Sequence, residues 1–555
     1  MKVRRFFLRL LTFFVIFGMF RCANEISPNG GPKDTTPPVL VGAEPPMNAT
    51  SFDSRVIKVT FDEYIQLKDV SSQMVVSPPM KMKPDVMAKG KSVVIKIKDT
   101  LRPKTTYNLF FGNAFADLNE GNSIADFRYV FSTGDFIDSL SMTGKVLDAL
   151  TFEPVEDAWV VLYSDHVDST FFTTVPYYIA RTDKNGVFHL NQLRDTSYSC
   201  YALEDINSNY FFDIPNERIA FLDSLVTPGY ITQRPDSIPD SVAFIPVNTV
   251  SEFTLYMYAE PDTIHKLLDY TLKDDYVVEF VFNKPSEEVT FASIDSLPIP
   301  DYYREINTTG DTIHWWLKNT TQQEMNLEVS LGDIVLDSIR LVLTNEENLA
   351  KPSSRLFNSN LVSRTKLDAN KNFAFTCDNP IDRIDFSGAW LKWEGDSIVP
   401  VFSFSDATPR RVNMTTKLTQ GITYSMAIPA GAITDIYGNT TDSLVFPFTK
   451  LKAEDYGVII LDLGLPSNEN SYVLALNDGK KECVRKMIIS KSGQYTFNYL
   501  NPGKYTFSIF KDTDNNGVWS PGRISHNLQP ERVIAFPKEL SIRANWEIQE
   551  TWIVE

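Results

Sequence analysis

Short runs in which apolar and polar residues alternate recur along nearly the whole chain: VIKVTF (56–61), SVVIKIK (92–98), WVVLY (159–163), VVEFVF (277–282), NLEVSL (326–331) and GVIILDL (457–463). A period of two places successive side chains on opposite faces of an extended backbone, and the Pro, Gly, Asn and Asp clusters between the runs supply turns. Apolar residues at helical spacing are nearly absent. The pattern predicts an all-β chain of tandem sandwiches. Its 555 residues exceed a single core, and a prior of roughly 100–200 residues per domain gives about four or five.

The first 21 residues break the pattern. A basic start (Lys2, Arg4, Arg5) leads into an apolar run from Phe6 to Phe20, interrupted only by Arg9, and Cys22 follows. The run is shorter than the ~20 residues needed to span a bilayer, so it reads as a signal peptide. The Cys set directly behind it resembles the lipobox of bacterial lipoproteins, which implies cleavage before Cys22 and lipidation of that residue. Arg21 stands where the common pattern has a small residue, and a secreted protein with an unlipidated Cys22 is the alternative. From Asn24 to Asn48 the composition turns to Pro, Gly, Asn and Thr, an extended tether. Cys200, Cys377 and Cys483 are widely separated, so no disulfide framework is predicted, and their apolar and aromatic neighbours favour small buried residues.

Two internal repeats organise the remainder. LRPKTTYNL with AFADLNEGN (101–122) aligns with LTQGITYSM and AITDIYGN (418–439), each running into a closing strand, FRYVFST or LVFPFTK. With TTPPVLVGAEPP and VTFDEYI upstream, the first copy resembles the bacterial Ig-like domain of the SbsA type; Asp62, Glu63, Asp117 and Asn122 match its pattern. In the second copy CDNP stands in place of FDEY. The other repeat aligns NGVFHLNQLRDTSYSCYALED with SGQYTFNYLNPGKYTFSIFKD without a gap, so that Gly186 meets Gly493, Tyr198 meets Tyr505 and Asp205 meets Asp512. Its first copy, with TGKVLDALTFEPVEDAWVVLY ahead of it, resembles the carboxypeptidase-regulatory or prealbumin-like β-sandwich, a non-catalytic module.

The fold class is therefore all-β, with tandem Ig-like and prealbumin-like β-sandwiches behind a lipoprotein signal peptide. The signal peptide covers 1–21, and the lipidated Cys with its tether covers 22–48. An SbsA-type Ig-like domain spans 49–135, a prealbumin-like sandwich 136–262, a β domain of no assigned type 263–355, a second Ig-like domain 356–450 and a second prealbumin-like sandwich 451–555.

Both prealbumin-like repeats end in an acidic loop. DTDNNGVW opens like a calcium loop, with Asp512, Asp514 and Asn516 at places one, three and five, and DINSNYFFD does the same with Asp205, Asn207 and Asn209, adding Asp213 at place nine. Tight coordination takes six to eight oxygens, including a bidentate Glu at place twelve. That place holds Arg523 in one loop and Asn216 in the other. Two readings stand: turns braced by their own Asp and Asn side chains, which the missing Glu favours, and weak Ca2+ sites. With Asp213 and the nearby Glu217, the first loop is the stronger calcium candidate.

A net charge of -17 argues against nucleic acid, which calls for clustered Lys and Arg. The five histidines are scattered, with no HExxH or GxSxG, so no cofactor and no catalytic residues are predicted. In DTIHWWLKN, alternation puts Ile313, Trp315 and Leu317 on one face and His314, Trp316 and Lys318 on the other. Trp316 is the candidate binding residue, either exposed for a sugar or partner, or covered by a neighbouring domain.

The closing SHNLQPERVIAFPKELSIRANWEIQETWIV and the opening CANEISPNGGPKDTTPPVL together resemble a family of Bacteroidota lipoproteins built on Ig-like domains. The resemblance implies an outer-membrane protein anchored by lipid at Cys22, on the periplasmic or the cell-surface face. It would act as a scaffold or as a subunit of an envelope complex, with outer-membrane proteins, a β-barrel complex among them, as partners. A surface glycan-binding protein and an unrecognised hydrolase using two distant carboxylates are the alternatives.

Overall fold

The computed structural model describes residues 33–554 except 165–169, 215, 230–252, 274–276, 296, 319–321, 323, 344–356 and 405–407. The stretch read as a signal peptide, Cys22, the first part of the expected tether and His166 lie outside the described residues. Alternating runs became strands: VIKVTF is Val56–Phe61, WVVLY is Trp159–Tyr163, VVEFVF is Val277–Phe282, and GVIILDL lies in Gly457–Gly464. The helices are single turns, such as Val70–Gln73, and among the described residues no helix is long and apolar enough to cross a membrane.

The chain divides into two units, one ending at Met257 and the other beginning at Tyr258. The first holds two cores. One, between Phe52 and Phe131, lies within an Ig-like sandwich. Its main sheets are a four-stranded one in which Val56–Phe61 and Ser92–Lys96 are central, and a three-stranded one in which Thr106–Gly112 pairs with both Val75–Ser77 and the closing strand Phe127–Ser132. The other core, from Leu140 to Met257, lies in the prealbumin-like sandwich. Here Trp159–Tyr163 pairs with Tyr178–Arg181 and Ser199–Leu203, while Leu140–Asp148 pairs antiparallel with Val187–Leu193 and parallel with Phe253–Ala259.

The second unit holds three cores, between Val278 and Leu343, Leu367 and Phe448, and Ile459 and Val554. The segment with no assigned type is a sandwich too, with sheets of four and three strands. In its Thr312–Leu317 strand, Ile313, Trp315 and Leu317 are fully buried, as alternation predicts.

The repeats are the same structures. In the Ig-like pair, the aligned Tyr107 and Tyr424 are buried, and their hydroxyls accept the Arg102 and Thr419 backbone N–H at 2.8 Å each. In the prealbumin-like pair, the Tyr198 and Tyr505 hydroxyls donate to the carbonyls of Arg194 and Asn501, at 3.2 and 2.8 Å. The first and last strands of the C-terminal sandwich, Gly457–Gly464 and Glu547–Ile553, pair in parallel as they do in its earlier counterpart.

Candidate functional site: the acidic loops and the domain joint

Each prealbumin-like domain carries its acidic loop at the end of the strand that follows or contains the aligned Tyr: Ser199–Leu203, directly after Tyr198, and Gly503–Asp512, which includes Tyr505. In the second loop the buried Asp512 accepts the backbone N–H of Asn516 and Gly517 at 3.1 and 3.0 Å, and Asp514 accepts the Asn516 N–H and the Ser520 hydroxyl. In the first, Asp205 accepts the N–H of Asn209 and Tyr210, while the Asn207 and Asn209 amides donate to the Asp213 carboxylate. Each loop is thus an Asx-braced turn that holds itself together.

The closing acid missing at place twelve is supplied from farther along the chain. Glu531 Oε1 accepts the Thr513 N–H at 2.6 Å, and its Oε2 accepts the Ser520 N–H at 3.0 Å. Glu217 does the same work in the first loop, with Oε1 on Ile206 N–H and Oε2 on Asp213 N–H. Ile206 and Thr513 follow the aligned aspartates directly, and Asp213 and Ser520 are the aligned ninth residues, so the two glutamates are structural equivalents. Both are buried, at 1% and 7% exposure. Ten residues, Pro521 to Pro530, separate Ser520 from Glu531, against three between Asp213 and Glu217, which carries the second Glu out of any fixed spacing.

The loops differ in what they offer a cation. Carboxylate oxygens of Asp512, Asp514 and Glu531 lie within 4.8 Å of one another and can hold a divalent cation such as Ca2+. Among the described residues this group of three forms in the second loop and not in the first, which the sequence favours. In the first loop the Asn207 and Asn209 amides both donate to the Asp213 carboxylate. The Ser520 hydroxyl, and after it the Asn516 backbone, holds the Asp514 carboxyl below its usual range against the opposing effect of burial.

Trp316 lies at a joint between two sandwiches of the second unit and is 8% exposed. Its indole Nε1 donates to Glu305 Oε2 at 3.0 Å, and the Arg410 guanidinium sits 5.0 Å from the ring centroid. Arg410 also grips Glu305 with Nε and Nη2, at 2.8 to 3.1 Å. Trp519 is half-buried, its indole N–H donating to the Glu531 carbonyl at 2.8 Å. The tryptophan exposed among the described residues is Trp546, which the sequence does not single out, with Arg543 stacked 4.8 Å from its ring centroid.

Cys200 and Cys377 are buried, which pushes both thiols up, Cys377 to about 12. Cys483 is exposed instead, because its strand forms the rim of a sheet. A depression of about 340 Å3, between Ile381–Ile384 and Phe402–Phe404, is lined mainly by apolar side chains. Asp382 and Ser403 contribute its polar groups, and no histidine lines it.

Residues 34–133 match the family described as bacterial Ig-like domain. No curated protein matches the chain. Among solved structures, the chain is similar to BcpA, the major pilin subunit of Bacillus cereus, at 12% identity and a TM-score of 0.15, covering 74% of this chain and 99% of that one. It is similar to domains 1–6 of the surface layer protein SbsC at 10% identity and a TM-score of 0.14, covering 92% and 68%. For native alpha-2-macroglobulin from Escherichia coli, domains MG0-NIE-MG1, the values are 12%, 0.17, 51% and 97%.

Proposed function

We propose that this chain is a non-catalytic envelope scaffold, anchored in the outer membrane by lipid on Cys22, whose sandwiches bind or bridge other envelope proteins. The observation that carries the reading is how the joints are built. Between the first two sandwiches, Arg102 and Arg194 stack on the Tyr177 ring at 5.1 and 5.6 Å, and the Ile179 N–H donates to Ser77 Oγ at 3.1 Å. In the second unit, Glu305, Trp316 and Arg410 lock a joint in the same manner. Charged and aromatic groups that would serve a cleft are spent on holding neighbouring domains, which suits a body that presents surfaces at set positions.

Purification of the chain, tagged at its C-terminus, from gently solubilised outer membranes tests this reading. A stoichiometric membrane partner is expected. Recovery of the chain alone, or from the soluble fraction, would sink it.

A further inference from the structure

The two halves of the chain use one edge of the prealbumin-like sandwich differently. In the first copy, the edge strand Tyr178–Arg181 lies against Val75–Ser77, the edge strand of the Ig-like sandwich before it. Tyr178, Ile179 and Ala180 are buried there, as are Val75, Val76 and Ser77, and the Ile179 N–H donates to Ser77 Oγ. An otherwise open edge is covered by a neighbour, which removes the hazard of unpaired strand groups.

The equivalent strand in the second copy is Cys483–Ile489. It pairs with Ser471–Asp478 just as Tyr178–Arg181 pairs with Trp159–Tyr163. Six of its seven residues are exposed, with Val484 and Met487 at 36% and Ile488 at 63%. Lysine commonly guards such an edge, but Lys486 turns away to donate to the Gly517 carbonyl at 2.6 Å. The segment is basic in an acidic chain: Lys480, Lys481, Arg485, Lys486 and Lys491 stand against Glu482 alone between 480 and 491.

The second Ig-like sandwich has an open edge of opposite sign. The strand containing Tyr424 pairs with Trp390–Trp393, as the strand containing Tyr107 pairs with Val75–Ser77. Trp390–Trp393 in turn pairs with Asp396–Ile398, which is wholly exposed. Glu394 and Asp396 stand against Lys392, which lies over the Trp390 ring, and Ile398 and Val399 are exposed at 41% and 62%.

We propose that the basic edge Cys483–Ile489 docks on the acidic edge Asp396–Ile398 of a second copy of this chain, covering the edge that a neighbouring sandwich covers in the first half. Backbone pairing of the two edges, apolar contacts and opposite charge supply the recognition.

The natural thiol of Cys483 gives the test. Full-length chain carrying Ser397→Cys and Cys483→Ser is mixed with differently tagged chain that retains Cys483, oxidised mildly, and analysed for a covalent heterodimer. A heterodimer is expected, its yield falling on the order of tenfold when the second chain carries Val484→Glu, a charge placed inside the contact. Asp396→Lys in the first chain should lower the yield likewise, so the result does not hang on one variant folding. Light scattering of the unmodified chain should show self-association. No cross-link, a yield indifferent to both substitutions, a monomer by light scattering, or an internal disulfide in the single Ser397→Cys chain would each overturn the proposal.

Discussion

Arg410 and Glu305 lie 105 residues apart in sequence, yet they form a forked ion pair that also carries the indole of Trp316. The pair is only partly open to solvent, with side-chain exposures of 29% and 17%, so its bonds are charge-assisted and poorly screened. Arg410→Ala leaves the Glu305 carboxylate facing the indole edge alone and uncovers the ring. The expected loss is about 2 kcal/mol, at the low end for truncating one partner of such a pair. Glu305→Ala with Arg410→Ala together should cost less than the sum of the singles, which urea unfolding of all three variants would reveal.

For the second acidic loop, calcium should raise the unfolding temperature of the chain, and calorimetric titration should detect binding at one site. Asp514→Asn removes one of the three carboxylates and should weaken that binding at least several-fold without unfolding the domain, because the loop is already braced by backbone bonds. Glu531→Gln should do both kinds of damage, since Glu531 closes the loop as well as facing the cluster. If calcium stabilises the Asp514→Asn chain as strongly as the natural one, the cluster does not bind the ion.

Asp117 gives the first Ig-like domain a defined acid sensitivity. Burial pushes its carboxyl up, but backbone N–H donors from Gly121, Glu120 and Asn122 outweigh burial and hold it below its usual range. A carboxyl depressed in the folded state stabilises above its unfolded value, roughly 3.9, and that stabilisation fades as pH falls through the lower folded value. Asp117→Asn should therefore be less stable than the natural chain at pH 7, the gap narrowing in acid below about pH 4. A gap constant from pH 7 to pH 2 would show that the charge is irrelevant.

Gly186 and Gly493 align in sequence but not in consequence. Gly186 has a φ of +72°, and a Cβ there would meet the Val146 carbonyl oxygen at 2.4 Å; around Gly493 nothing lies within 4 Å. Gly186→Ala should cost more than about 1 kcal/mol, whereas Gly493→Ala should be neutral within roughly 0.5 kcal/mol, the range of an ordinary surface change. Parallel denaturation curves for the two variants would check the contrast.

Strands were legible because a sandwich core enforces period two: the fully buried Ile313, Trp315 and Leu317 can be named from alternation alone. The repeats were legible because equal folds keep equal spacings, as the paired tyrosine hydroxyls show. What escaped depends on contacts that sequence distance does not encode. Glu531 closes a loop from beyond a ten-residue spacer, where the first loop has three, so counting to place twelve finds Arg523 instead. For Trp316, alternation leaves exposure or cover by a neighbouring domain both open; that the cover is Arg410 of another sandwich is not readable from sequence. Cys483 shares an apolar neighbourhood with buried cysteines, but its strand ended on a rim.

The parallel pairing of first and last strands in both prealbumin-like domains has a mechanical meaning. Gly144–Asp148 runs beside Phe253–Met257, and Val458–Gly464 beside Glu547–Ile553. Pulling such a domain by its two chain ends draws these strands past each other lengthwise. The ladder is then loaded in shear, every bond resisting together, instead of unzipping one bond at a time. A body tethered at one end and held by a partner at the other would load these two domains in shear.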